Sequence, residues 1–312
     1  MGQLIKLQDY ISRYENDVYR YASEFIRLKK KQWERIKEEW ENGETNDAPI
    51  DSSWEWLEEK RSVFQTIRGW FKRSEEERTD EGLNSQETSC DEDEFFSSMF
   101  VTEPKTVDEL KLLFLEKVFE LQMKWASSTL KHVSIVDRKF YYEEPLKYFL
   151  QRFPDTYLCL YKPVFLAKNA PVELDTVLLS PLATWCISFA EGEIIVGSTE
   201  RFWTEIEKNG EKKRINPLIS LRRTEKIISD LYDRYEIELP IKKVILNRYG
   251  YIDYRYAPGD VELIDKRYYE QWFSSLRSST APLKHMQLKA ASHLLRHCYS
   301  HYYERQWQED EQ

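Results

Sequence analysis

Residues 173–190 read ELDTVLLSPLATWCISFA. Two apolar runs, each too short for an ordinary helix, flank the turn-forming Ser180-Pro181-Leu182-Ala183. That pattern predicts two strands, 172–180 and 184–190, joined as antiparallel neighbours. The first run opens with Glu173 and Asp175, two positions apart. Alternate residues of a strand share a face, so two carboxylates are expected to project together from an apolar surface. Such a pair suits a hard divalent cation, because Mg²⁺ takes oxygen ligands and usually one or two carboxylates.

The order of these features resembles the nuclease-related domain (NERD) of bacterial proteins, a branch of the PD-(D/E)XK, or restriction-endonuclease-like, fold. That family reads E-I-D-H-V-V-V, a G-P-G-G-like turn and a second strand ending V-I-E-x-K. Glu173-Leu174-Asp175, Val177-Leu178-Leu179, Ser180-Pro181 and Trp185-Cys186-Ile187 follow it without a gap, and Asn216-Pro217-Leu218 opens a helical run as in the family. The resemblance spans residues 140–276. It implies a vestigial catalytic position at Asp175, the one metal-binding position of the set, with Glu173 as an additional acid. It also implies an acid on the helix before the sheet, for which Glu143 and Glu144 are the candidates.

The departures are chemical. Where the family places its catalytic Glu and Lys, this chain has Ser188 and Ala190, and Ser220 stands where a Gln usually follows the Asn-Pro motif. Neither Ser188 nor Ala190 supplies a carboxylate or a cation. A positioned acid–base group contributes ~10²–10⁴ in rate, so little hydrolysis is expected without it. The resulting expectation is a catalytically inactive nuclease-related protein with no cofactor. Its partner is nucleic acid in the old cleft, or a protein or second copy held by the N-terminal helices. The alternative is a Mg²⁺-dependent nuclease with relocated groups, drawn from Glu191, Glu193, Lys168 and Arg222.

Outward from this core the chain reads as α+β: an N-terminal helical, coiled-coil-like module, a restriction-endonuclease-like α/β/α domain and a C-terminal helix. The expected divisions are N-terminal helices at 1–73, an acidic disordered linker at 74–98, a further helix packing on the first module at 99–135, the nuclease-like domain at 136–280 and a terminal helix at 281–312. Leu4, Leu7, Ile11, Tyr14, Val18, Tyr21, Phe25 and Leu28 recur at spacings of three and four, which predicts one helix over 3–40. Ser52 with Glu55, and Thr106 with Glu109, predict capping boxes opening two more helices. Pro145 marks the start of the helix before the sheet. Asn209-Gly210 predicts a hairpin turn.

The net charge of −9 is concentrated in one place. Residues 74–94 hold ten acids against the single base Arg78 and alone sum to −9, leaving the rest near neutral. That balance lacks the basic footprint of a dedicated DNA-binding domain. No apolar run reaches the ~20 residues that a membrane span needs, and the first ten residues show no secretory signal. Cys90, Cys159, Cys186 and Cys298 are widely spaced with no C-x-x-C, pointing to a reduced, cytoplasmic setting. His293, His297 and His301 fall at i, i+4 and i+8 of the expected terminal helix. No Glu follows His293 as a zinc-peptidase motif requires, so an ordinary helix face is the simpler reading.

Overall fold

The computed structural model describes residues 1–42, 95–96, 104–167, 170–196, 201–207, 210–254 and 259–305. Strand β1 (Gln3–Leu7) leads through a 3-10 turn at Arg13–Glu15 into helix α1 (Val18–Glu41). Helix α2 (Val107–Trp125), strand β2 (His132–Val133) and helices α3 (Lys139–Tyr142) and α4 (Glu144–Arg152) follow. Then come β3 (Leu158–Tyr161), β4 (Val164–Ala167), β5 (Ala170–Glu173), β6 (Thr176–Leu179) and β7 (Thr184–Phe189). Strands β8 (Glu193–Val196), β9 (Phe202–Glu207) and β10 (Gly210–Ile215) precede helix α5 (Pro217–Tyr235). Strands β11 (Ile241–Leu246), β12 (Ile252–Tyr254) and β13 (Glu262–Ile264), helices α6 (Tyr269–Arg277) and α7 (His285–His297), and β14 (Tyr303–Glu304) complete the chain.

The quoted hairpin sits inside a six-stranded sheet of order β1-β3-β6-β7-β11-β13. Strands β6 and β7 pair antiparallel, with Thr176 opposite Ile187 and Leu179 opposite Thr184. Strand β6 alone runs against its neighbours; β1 with β3, β7 with β11 and β11 with β13 are parallel. Alternation along β7 sends Trp185 and Ile187 to one face, into a core shared with Phe149 and Phe153 of the α4 region and Trp272 and Phe273 of α6. Thr184, Cys186 and Ser188 point to the other face, which α5 covers: the Thr184 and Tyr232 hydroxyls lie 2.6 Å apart. Helix α7 joins that layer, where buried Gln287 donates to the carbonyls of Leu179 at 2.9 Å and Thr156 at 2.6 Å. A second, four-stranded sheet has the order β10-β9-β8-β12.

Local chemistry accounts for several boundaries. The Asn216 side chain accepts the Leu218 N–H at 2.9 Å, and Pro217 occupies the first turn of α5, where its missing N–H is harmless. Thr106 accepts the Glu109 N–H at 3.2 Å, while the Glu109 carboxylate takes the N–H of Lys105, one residue earlier than a standard box. Pro145 lies in the first turn of α4.

The chain forms two compact units, one of residues Met1–Arg27 and Val118–Gln312, the other of Leu28–Lys117. In the larger unit the Trp125 ring packs against Tyr14, Tyr21 and Phe25. In the smaller unit Trp33 packs on Phe114 with ring centroids 5.3 Å apart, and the Trp40 indole donates to the Pro104 carbonyl at 2.8 Å.

The structure corrects the expected helix over 3–40. Residues 3–7 are a fully buried strand that pairs parallel with β3, and the long helix begins only at Val18. Leu4, Leu7 and Ile11 fit a helical spacing, but the polar residues of the strand, Gln3 and Lys6, are buried as well. Gln3 donates to the carbonyls of Ala22 and Asp155, and the Lys6 ammonium reaches Glu15, the Tyr10 carbonyl and Ser300. The C-terminal helix is also shorter than expected, ending at His297. The expected helix opening at Ser52, the acidic segment 74–94 and the first residue of the Asn209-Gly210 turn lie outside the described residues.

Candidate functional site

Strands β1, β3, β7, β11 and β13 all run the same way, so their C-terminal ends share one edge of the sheet. In open α/β sheets that edge is where ligands bind. Asp175 lies on it, one residue before β6, continuing the register that sets Thr176 against Ile187. Its carboxylate sits beneath α5, where three hydroxyls converge. Thr224 Oγ1 donates to Oδ2 at 3.0 Å and in turn accepts the Asp175 backbone N–H at 3.1 Å. Ser220 Oγ lies 3.2 Å from Oδ1 and 3.0 Å from the Pro217 carbonyl, so its one proton is shared between two acceptors. The Ser188 hydroxyl, opposite on β7, also stabilises the ionised carboxylate. Burial raises the Asp175 carboxyl above its ordinary value, and the Thr224, Ser188 and Ser220 hydroxyls and the Arg223 charge pull it back down.

Glu173 does not join this group, contrary to the expected same-strand pair. It ends β5, which pairs with β4 in a separate two-stranded sheet, while Asp175 precedes β6. The chain breaks its extended run at Leu174, which is buried and donates its N–H to the Pro163 carbonyl. Period-two spacing therefore no longer applies, and the exposed Glu173 carboxylate accepts from Gln8 at 3.0 Å. Ala190 follows β7 and donates its N–H to Leu246, presenting only a methyl group.

Several of the other candidate acids and cations are engaged elsewhere. Glu143 accepts from the Tyr161 hydroxyl and from Lys162. Glu144 pairs with Arg248 and accepts from Tyr249. Arg222 acts on Asp260 and Tyr254, not on Asp175. Glu193 faces Ile206 across the second sheet, Glu191 is exposed beyond β7, and Lys168 lies outside the described residues. An amine on the same face of the sheet is Lys243 of β11, opposite Cys186, buried and held by Glu225 at 2.5 Å and Asp260 at 2.7 Å. Those contacts offset burial and leave its ammonium above the ordinary value. Asp175, Glu225 and Lys243 all act on the Cys186 thiol, which burial pushes well above its usual range.

A Mg²⁺ ion does not fit this arrangement. One carboxylate, already accepting a hydroxyl on each oxygen, lacks beside it the second hard anionic ligand that the ion usually takes. Among the described residues no three His, Cys, Asp or Glu side chains are grouped to hold a metal ion. His293 instead stacks on Tyr235 at 3.9 Å, and His297 lies within hydrogen-bond distance of the Tyr235 hydroxyl, at 3.2 Å. His301 is beyond the helix, so the three histidines share no face.

Two residues of the site were not singled out from the sequence, Thr224 and Lys243. Thr224 follows Ser220 by one helical turn, a spacing that places both on one face. That signal becomes readable only once the facing carboxylate is known.

Residues 138–246 match the model of the nuclease-related domain family. A protein of Geobacillus stearothermophilus named RNA 2′,3′-cyclic phosphodiesterase is 41% identical over 125 residues, which is 39% of this chain and 36% of that protein. The chain thus spans about a third of that relative's length. No solved structure matches. Among the described residues no helix is long and apolar enough to cross a membrane.

Proposed function

We propose that the nuclease-related domain carried by residues 138–246 binds nucleic acid without hydrolysing it, with RNA as the first candidate. The observation that carries this reading is the ring of Ser188, Ser220 and Thr224 hydroxyls around Asp175. The ring satisfies the carboxylate by hydrogen bonds at the position where the family's metal would need it free. Ala190 and Ser188 stand where the resemblance places the amine and the second carboxylate, and neither supplies one. The relative's name, an RNA phosphodiesterase, favours RNA as the ligand class. A cytoplasmic location belongs to the same proposal, and the free thiols of Cys159, Cys186 and Cys298 support it.

A second reading, a phosphodiesterase with relocated groups, rests on Lys243. It shares the α5-covered face with Asp175 and lies between Glu225 and Asp260. A cleavage assay separates the two. The full chain is incubated with single- and double-stranded RNA and DNA in Mg²⁺ or Mn²⁺, beside Asp175→Ala and Lys243→Ala. The expected result is intact substrate throughout, with RNA retained in a binding assay. Cleavage by the wild type that disappears in either variant would overturn the silent reading. Absence of nucleic-acid binding, with self-association or capture of a protein by the N-terminal helices, would replace the ligand class.

A further inference from the structure

Past the end of β11, residues 247–251 read Asn-Arg-Tyr-Gly-Tyr, and past β13 residues 265–268 read Asp-Lys-Arg-Tyr. Both loops leave the edge of the sheet that carries Asp175, because β11 and β13 are parallel. Three tyrosines stand out of them: Tyr249 is 66% exposed, Tyr251 43% and Tyr268 54%. Each adjoins a cation. The Arg248 guanidinium lies 3.4 Å from the Tyr148 ring centre and 4.8 Å from that of Tyr249. Arg267 lies between Tyr251 and Tyr268, at 5.8 and 5.7 Å, and Lys266 is 6.0 Å from Tyr251.

Exposed aromatic rings on a slack loop would fold inward, but this loop pair is braced. The Asn247 side chain donates to the Gly192 carbonyl at 2.8 Å and accepts the Gly250 N–H at 2.8 Å. Gly250 packs so closely that a Cβ there would come within 1.7 Å of the Gly192 carbonyl oxygen. Lys266 N–H donates to the Gly250 carbonyl, tying the second loop to the first. Asp265, itself 2% exposed, receives the Ile252 N–H and the Arg267 guanidinium. The backbone that carries the rings is therefore held in place, which lowers the ordering cost of binding at a recognition surface.

We infer that this ledge is a stacking platform for single-stranded RNA, with unpaired bases on Tyr249, Tyr251 and Tyr268. The assignment rests on the nucleic-acid reading above and adds the strand state and the residues that hold it. Aromatic rings interleaved with guanidinium groups are how single strands are bound without sequence readout. The charge pattern disfavours a duplex. Arg248 is already paired with Glu144 and Arg267 with Asp265, leaving little net positive charge to follow two phosphate backbones. Binding by stacking then carries a shallow salt dependence, with a log–log slope of about −1 to −2 rather than the steep slope of a phosphate track.

Fluorescence anisotropy with the full chain tests this, using a 12-nucleotide oligo-U, an oligo-dT of equal length and an RNA duplex. Oligo-U is expected to bind at least as tightly as oligo-dT and about tenfold tighter than the duplex. Each Tyr→Ala substitution is expected to weaken oligo-U binding about tenfold, and Tyr→Phe to restore it, because the ring and not the hydroxyl carries the contact. Tyr251 and Tyr268 are exposed, so their variants should keep the wild-type melting temperature; Tyr249→Ala also loses the bond to Glu144 and is compared with Tyr249→Phe, which loses the same bond. Wild-type binding that survives Tyr249→Ala/Tyr251→Ala/Tyr268→Ala would overturn the ledge and leave the nucleic-acid reading standing. Preference for the duplex or for oligo-dT, a slope steeper than about −4, or a Phe variant as weak as the Ala variant would also overturn it. A wild type that binds none of the three probes would overturn both.

Discussion

Replacing Thr224 by valine tests whether the hydroxyl ring is what holds Asp175 in place. Thr224 is fully buried, and valine keeps its shape while removing one oxygen. That oxygen donates to Asp175 Oδ2 at 3.0 Å and accepts the Asp175 N–H at 3.1 Å, so the substitution removes two interactions at once. A hydrogen bond to a charged group contributes about 1.5–3 kcal/mol, and a stranded buried N–H costs about 1–3 kcal/mol. Ser188 and Ser220 remain and part of the carboxylate edge reaches solvent, so the net loss is set at about 2–4 kcal/mol. Urea unfolding reads it as a lower midpoint at unchanged slope. In an Asp175→Ala background only the N–H bond is left to lose, so the two substitutions should couple by about 1–2 kcal/mol. The pH dependence has a defined sign. Burial raises the native carboxyl above its unfolded value, so its contribution is fully present below the unfolded pKa and declines as pH rises through the native one. Removing the Thr224 donor raises the native pKa further, so the loss should be larger above the carboxylate range than below it. A loss under about 1 kcal/mol, or coupling under about 0.3 kcal/mol, would refute the account.

Three further outcomes are expected. Gly250→Ala should cost more than about 3 kcal/mol, because its Cβ meets backbone that cannot rotate away; hydrogen exchange at the Gly250 amide should accelerate, and a near-neutral effect would show that the loop yields. His293 is held below the ordinary histidine value, first by burial and then by Arg296, Lys289 and His297, so its NMR titration midpoint should fall below 6.5. Its contribution is complete above the unfolded pKa and lost as pH falls through the native one; His293→Phe should flatten that decline, and a midpoint above 6.5 would contradict it. Ser188→Glu with Ala190→Lys should confer calorimetrically detectable Mg²⁺ binding that Asp175→Ala abolishes, if the cleft has kept the family's shape. No gain would mean that the hydroxyl ring has closed it.

The hairpin of β6 and β7 was legible in residues 173–190, because two apolar runs and a four-residue link leave few other solutions. The start of α5 was legible in Asn216-Pro217, since a cap and a first-turn proline act within one helical turn. Other features were decided by partners far away in the chain. Glu173 and Asp175 share a spacing but not a strand, because the Leu174 N–H is claimed by Pro163 and the carboxylates part to Gln8 and to α5. The first strand was hidden in a helical spacing for the same reason. A fully buried segment containing Gln3 and Lys6 is stable only if their polar groups are satisfied. Beside the nearer Ala22, Tyr10 and Glu15, their partners include Asp155 and Ser300, 152 and 294 residues away. Periodicity reports which side chains avoid water; it cannot report which distant carbonyl or hydroxyl will meet a buried amine, and that meeting placed Gln3–Leu7 in the sheet.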